Sequence, residues 1–136
     1  MKRLTAVSPS DLIEEAVKDP LIEAQIIDLN QKQLYEQGVE ADGTPTGQYA
    51  LRTIAEKEAI GARSDHVTLH DTGAFYDSMQ IKAEGASVRI EGDMVKPDRD
   101  LEEGWPKALG LTPESLEEIK PDIEKAILRA WKKRLD

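Results

Sequence analysis

The chain has 136 residues, 39% of them hydrophobic, 33% charged and only 4% aromatic, and it carries a net charge of −9. One domain is expected at this length, with a core of Leu, Ile, Val and Ala around the scarce large anchors Phe75, Trp105 and Trp131. The absence of cysteine excludes disulfides and thiolate metal sites, no apolar run reaches membrane-spanning length, and the acidic balance argues against tight sequence-specific DNA binding.

The start, Met1 to Val7, has two cations but no long apolar stretch after them, so no signal peptide is expected there. Ser8-Pro9-Ser10-Asp11 reads as a helix start, and Leu12, Ile13, Ala16 and Val17 form its apolar face. Asp19-Pro20 ends this helix and begins a second, because the residue before proline is pushed out of the helical region. Ile22, Ile26 and Leu29 line one flank of the second helix, with Ile27 and Leu34 beside it and Gly38 as its stop. Residues 39–47 hold Gly43, Pro45 and Gly47 and read as a loop. Residues 48–60 read as helical, with Tyr49, Thr53 and Lys57 on one face, Leu51, Ile54 and Ala55 on another, and Gly61 at the end.

The period then changes. His66 to His70 alternates polar with apolar, as a half-buried strand does. Asp71-Thr72-Gly73 is expected to cap a short helix carrying Phe75 and Met79. Gln80 to Ala83 and Ser87 to Glu91 alternate on either side of Glu84-Gly85-Ala86 and predict a hairpin. Residues 93–111 give no regular pattern, with Pro97 and Pro106 breaking what periodicity there is. Thr112-Pro113 starts a helix with Leu116 and Ile119 facing inward. Pro121 is expected to start a fresh one carrying Ile123, Ile127, Ala130 and Trp131. Its acids come first and Arg129, Lys132, Lys133 and Arg134 last, an order that complements the helix dipole. The prediction is a single α+β domain over 1–136, with N- and C-terminal helices packed on a small antiparallel β-sheet. Its parts are helices over 1–38, a loop over 39–47, a helix with strands over 48–92, an irregular stretch over 93–111 and helices over 112–136.

Little in the sequence suggests catalysis. His66 and His70 would share one strand face at a separation of ~13 Å, too far to bind one ion, and read as solvent-facing. The acids Asp42 and Asp93 are explained by turn preference. Residues 42–47 lack the Gly-Lys-Ser/Thr ending of a phosphate loop. No catalytic, cofactor or metal residues are assigned, and a metal-dependent nuclease built on His66, His70 and Asp71 ranks last among the functions considered. Asp71-Thr72-Gly73-Ala74-Phe75 is the most specific local feature. It is read first as a strand end, a helix cap and a core phenylalanine, and second as a junction that presents Phe75 and Tyr76 to a partner. Trp131 is either core or an interface anchor. The candidate interface residues are Gly43, Tyr49, Thr72, Gly73, Phe75, Trp105 and Trp131.

The order of these features resembles a known family. Leu34-Tyr35-x-x-Gly38 is followed by Asp42-Gly43, Tyr49, Thr53, Lys57 and Gly61, then by Val67-Thr68-Leu69-x-Asp71-Thr72-Gly73-x-Phe75-x-x-Ser78-Met79 and an alternating hairpin. This is similar to the phage virion morphogenesis family, whose members complete tails or join heads to tails. Leu109-Gly110-Leu111-Thr112 resembles the stretch before that family's last helix, and the likeness spans roughly residues 30–135. The family's Tyr-Ala…His…Gly segment after the hairpin is replaced by residues 93–106. The resemblance implies a non-enzymatic virion subunit, assembled in the bacterial cytoplasm. It would form a ring at the neck, connector or tail terminator, with the Gly-rich loop 42–47 as a candidate arm ordered only on assembly, bind other neck, portal or tail proteins, and let DNA pass without reading it. The competing expectation is an adaptor or regulatory domain that binds another protein one to one.

Overall fold

A computed structural model describes residues 9–84, 87–95 and 100–135. Helix α1 spans Pro9–Val17 and α2 spans Pro20–Lys32, running on through a π-helical turn, Gln33–Gln37. The chain then carries α3 (Leu51–Ala59), α4 (Ala74–Asp77), β1 (Gln80–Glu84), β2 (Ser87–Glu91), α5 (Leu101–Gly104) and α6 (Pro113–Leu135). The fold is α+β, as the helix-strand-helix order of the sequence implies.

Local chemistry accounts for the element ends. Asp19 is extended and its carboxylate accepts the Leu21 N–H at 2.9 Å, so it caps α2 while Pro20 fills the first helical position. Gly38 adopts a left-handed conformation (φ 67°) and ends the π turn, with Val39 N–H donating to the Gln33 carbonyl. Strands β1 and β2 pair antiparallel, with Ile81 opposite Ile90 and Glu84 opposite Ser87. The expected hairpin therefore forms, while its turn residues Gly85 and Ala86 lie outside the described residues, as do Met1 to Ser8, Pro97 and Asp98.

Two apolar clusters hold the molecule together. One joins Ala16 and Val17 of α1, Ile22 and Ile26 of α2, and Ile119 and Ala126 of α6, with Ile81, Ala83 and Ile90 of the hairpin packed against it. The second gathers Leu34, Val67, Leu69, Phe75, Tyr76, Met79, Leu101 and Ala108. Ile90 touches both, so the hairpin is the wall they share. Side-chain amides stitch the second half to the first. Asn30, fully buried on α2, donates to the Ala108 carbonyl and accepts the Gly110 N–H, both at 2.9 Å. Gln33 donates to the Gly110 carbonyl and accepts the Thr112 N–H at 2.8 Å, fixing the approach to α6.

Four expectations are corrected. No strand forms at 66–70: Val67, Thr68 and Leu69 are all buried, and Leu69 sits at φ 59°, which breaks the extended alternation. The Tyr76 hydroxyl donates to the Thr68 carbonyl at 2.6 Å and helps hold that turn, so the described sheet has two strands. Pro121 does not start a new helix, because α6 runs unbroken from Pro113 to Leu135 with Pro121 inside it on the exposed side. The stretch 93–111 is not wholly irregular. Asp100 caps α5 through the Glu102 N–H at 2.9 Å, and Leu101 is buried beneath it. The loop 42–47 is no free arm. Its Thr46 hydroxyl lies 2.6 Å from the Val67 carbonyl, and Glu40 N–H donates to the Thr44 carbonyl at 2.8 Å.

Candidate interaction surface

The Asp71 to Phe75 stretch is a folding device. Gly73 takes φ 89° and precedes α4, and the Thr72 hydroxyl, itself exposed, accepts the Ala74 N–H at 3.2 Å. This turn drives Phe75 inward to 1% exposure. Phe75 is therefore core and is not presented to a partner, because its whole ring replaces water contact with cluster contact. Tyr76 is buried beside it. Burial, and then the neighbouring phenols of Tyr49 and Tyr35, push its hydroxyl above the usual phenol range.

Tyr49 and Trp105 are clamps. The Tyr49 hydroxyl accepts the Thr68 N–H at 3.0 Å and lies 3.2 Å from the Thr68 hydroxyl. Trp105 Nε1 donates to the Thr46 carbonyl at 2.7 Å, tying the loop to the chain beyond α5. Gly43 is exposed at φ 83° in a turn whose Asp42 carboxylate accepts the Thr44 N–H at 3.0 Å. The hydrogen bonds from Thr44 hold the Asp42 carboxyl below its ordinary value.

Of the two histidines, expected to face solvent, His66 departs from expectation and His70 does not. The His66 side chain is only 12% exposed and packs against Gly38, with Nε2 2.7 Å from the Tyr35 carbonyl and Nδ1 3.2 Å from Asp65. His70 is exposed, its ring edge-to-face with Tyr35 at 5.8 Å and Tyr76 at 4.8 Å. Among the described residues, no group of three or more His, Asp or Glu side chains converges as a metal would require. No described helix is long and apolar enough to cross a membrane. The groove between the α1–α2 corner and α6 is bridged by Asp19–Arg129 at 3.4 Å and edged by Glu15, which pairs with Arg134 at 2.9 Å.

What the sequence reading missed lies on the outside of two helices. Helix α3 rides on an excursion closed at its base by Val67 N–H donating to the Gly47 carbonyl at 2.9 Å. Arg63 secures the returning strand of that excursion through the Tyr35 carbonyl at 2.8 Å. The helix is inside out. Thr53 and Lys57 are half-buried, with Lys57 Nζ 4.7 Å from the Tyr49 ring, while Leu51 is 85% exposed and Ala55 and Ala59 face water with it. No residue of α3 is buried, and Ile60, just past its end, is 80% exposed.

Helix α6 has two apolar faces. Ile119, Ala126 and Ala130 face the core. At ~100° per residue, Leu128, Trp131 and Leu135 fall within an arc of about 60° on the opposite side. They are 57%, 37% and 45% exposed. Trp131 thus leaves the face that Ala130 occupies and stands as the aromatic centre of an outward stripe flanked by Lys132. The spacing was legible in the sequence, but a helix's solvent side can be told from its core side only once its neighbours are placed.

The chain matches no family model, no curated protein and no solved structure in these comparisons.

Proposed function

We propose that this chain is a non-enzymatic structural subunit of a bacteriophage virion, acting at the joint between head and tail as part of a neck, connector or tail-completion ring. The observation that carries the reading is the pair of outward apolar helix faces, Leu51 with Ala55 and Ala59 on α3 and Leu128, Trp131 and Leu135 on α6. The solvent side of a helix is normally polar, so an apolar face turned outward marks a surface made to be covered. A ring uses head-to-tail contacts, so each subunit must carry two different faces, as this one does. The order of motifs from Leu34 to Met79 and from Leu109 to Thr112 supports the same reading through its likeness to phage virion morphogenesis proteins. The net charge of −9 suits a channel that DNA must slide past without adhering.

Electron microscopy of particles assembled without the protein tests the proposal. Filled heads and separate tails that join when the purified chain is added are the expected result. Joined, infectious particles formed in its absence overturn it, and the adaptor reading then takes its place.

A further inference from the structure

We infer that the outward face of α3 on one copy docks on the outward face of the α6 C-terminal third of the next copy, a heterologous contact that repeats around the assembly. The inference rests on the ring reading and adds the surfaces that make the ring. The occupant of each face is a second copy of this chain, and three observations argue for that.

The two faces match in size. At ~1.5 Å per residue, Leu51 to Ala59 spans about 12 Å of helix axis, and Leu128 to Leu135 about 10 Å. They also match in shape. Leu51, Ala55 and Ala59 present one large and two small side chains, so a groove of alanines lies open to a bulky knob, and Trp131 is such a knob. Their charges are complementary. Glu58 lies within the α3 stripe and has no ion-pair partner among the described residues, whereas Arg52 is already occupied by Glu56 at 3.2 Å. Lys132 lies beside the α6 stripe and is likewise free of ion pairs among the described residues, as are Lys125 and Lys133 farther round the helix. Pairing two α6 faces side by side in parallel would instead bring these lysines against their own copies. Pairing two α3 faces side by side in parallel would oppose Glu58 with Glu58.

The contact is small beside a standard interface of ~800 Å² per partner, so it is weak alone and gains from ring closure and from neighbours on the particle. The chain is therefore expected to associate only at high concentration when free.

Sedimentation equilibrium of the full chain up to ~1 mM reads this directly. The average mass of the wild type should rise with concentration. Leu51→Glu and Leu128→Glu, both at well exposed positions, should each keep wild-type circular dichroism and remain monomeric. Mixed together, they should form a one-to-one heterodimer, because each retains the face the other has lost. Glu58→Lys should weaken association roughly tenfold, and adding Lys132→Glu should restore it. The inference is overturned if the wild type stays monomeric throughout, if either single-face variant still self-associates, or if the mixture does not pair. Particle joining separates the two claims. Particles that need the protein yet accept Leu51→Glu and Leu128→Glu as well as wild type leave the ring reading standing and remove this contact. Particles that join without the protein remove the ring reading, while sedimentation still decides whether the two faces pair.

Discussion

Replacing Asn30 by alanine should destabilise the fold far more than an ordinary substitution on α2. Asn30 has no exposed surface, and its amide satisfies the Ala108 carbonyl and the Gly110 N–H at 2.9 Å each. Alanine leaves both backbone groups in the interior without these partners, at ~1–3 kcal/mol apiece. Alanine's better helix propensity returns ~0.5 kcal/mol. The net expectation is a loss of about 2–5 kcal/mol, read as a fall of ~1–2 M in the urea midpoint. Gln25, exposed on the same helix, is the control, and Gln25→Ala should stay within ~0.5 kcal/mol of wild type. Gln33 holds the other side of Gly110, so Asn30→Ala and Gln33→Ala should be non-additive by ~0.5–3 kcal/mol. Asn30→Asp adds a sign test. Its carboxylate can still accept from Gly110 but faces the Ala108 carbonyl, so burial and that dipole raise its folded pKa above the unfolded value. Its deficit should therefore be full at neutral pH and shrink as pH falls through the raised pKa, when the protonated oxygen can donate. An Asn30→Ala loss under ~1 kcal/mol, or one equal to that of Gln25→Ala, would refute the view that these amides fix the approach to α6.

Gly38→Ala should cost ~2–3 kcal/mol in chemical denaturation, because alanine is strained at φ 67° and its Cβ would sit 2.6 Å from the His66 ring, displacing the Tyr35 contact. Pro121→Ala should stabilise the protein by ~1–2 kcal/mol, since it lets residue 121 of α6 donate within the helix, and an unchanged or lowered melting temperature would contradict that. Asp42 should titrate below 3.8 by NMR. Its folded pKa is depressed, so the stability it supplies is present above the unfolded value and is lost as pH falls through the folded one, and Thr44→Pro, which removes both the hydroxyl and the N–H donor, should raise it toward the ordinary value.

How much of this was legible in the sequence depends on the range of the forces involved. Asp19-Pro20, Gly38 and Gly61 act within a few residues, and each ends an element where the sequence places the end. The hairpin was equally plain, because alternation on both sides of a short turn leaves one register. The expected strand at His66 to His70 failed because its alternation was only five residues long, and Leu69 could turn left-handed once Tyr76 and Tyr49 gripped Thr68. Pro121 misled for a related reason. Proline does not break a helix on an exposed face when Ile119 and Ala126 on either side of it are both locked into the core. Among the candidate interface residues, Phe75, Tyr49 and Trp105 proved to be packing or clamping groups, and Trp131 alone among the aromatics stands in an outward stripe. Periodicity identifies an apolar stripe but not what it faces, which is why Leu51 was legible as helical and its 85% exposure was not.

Exposed leucines on two separate faces of one chain create a hazard as well as a contact, since free copies could string together before assembly. Charge limits this. With a net charge of −9, approaching copies repel at a distance, and the basic end of α6 is the main surface where that repulsion reverses. The repulsion is screened within about 8 Å at physiological salt, whereas apolar contact is not. Raising the salt should therefore strengthen nonspecific association while weakening the Glu58-to-lysine component of the specific contact. A specific contact that depends on charge alignment and a general repulsion that depends on net charge respond oppositely to salt, so a subunit built this way stays dispersed until a platform holds its neighbours in register.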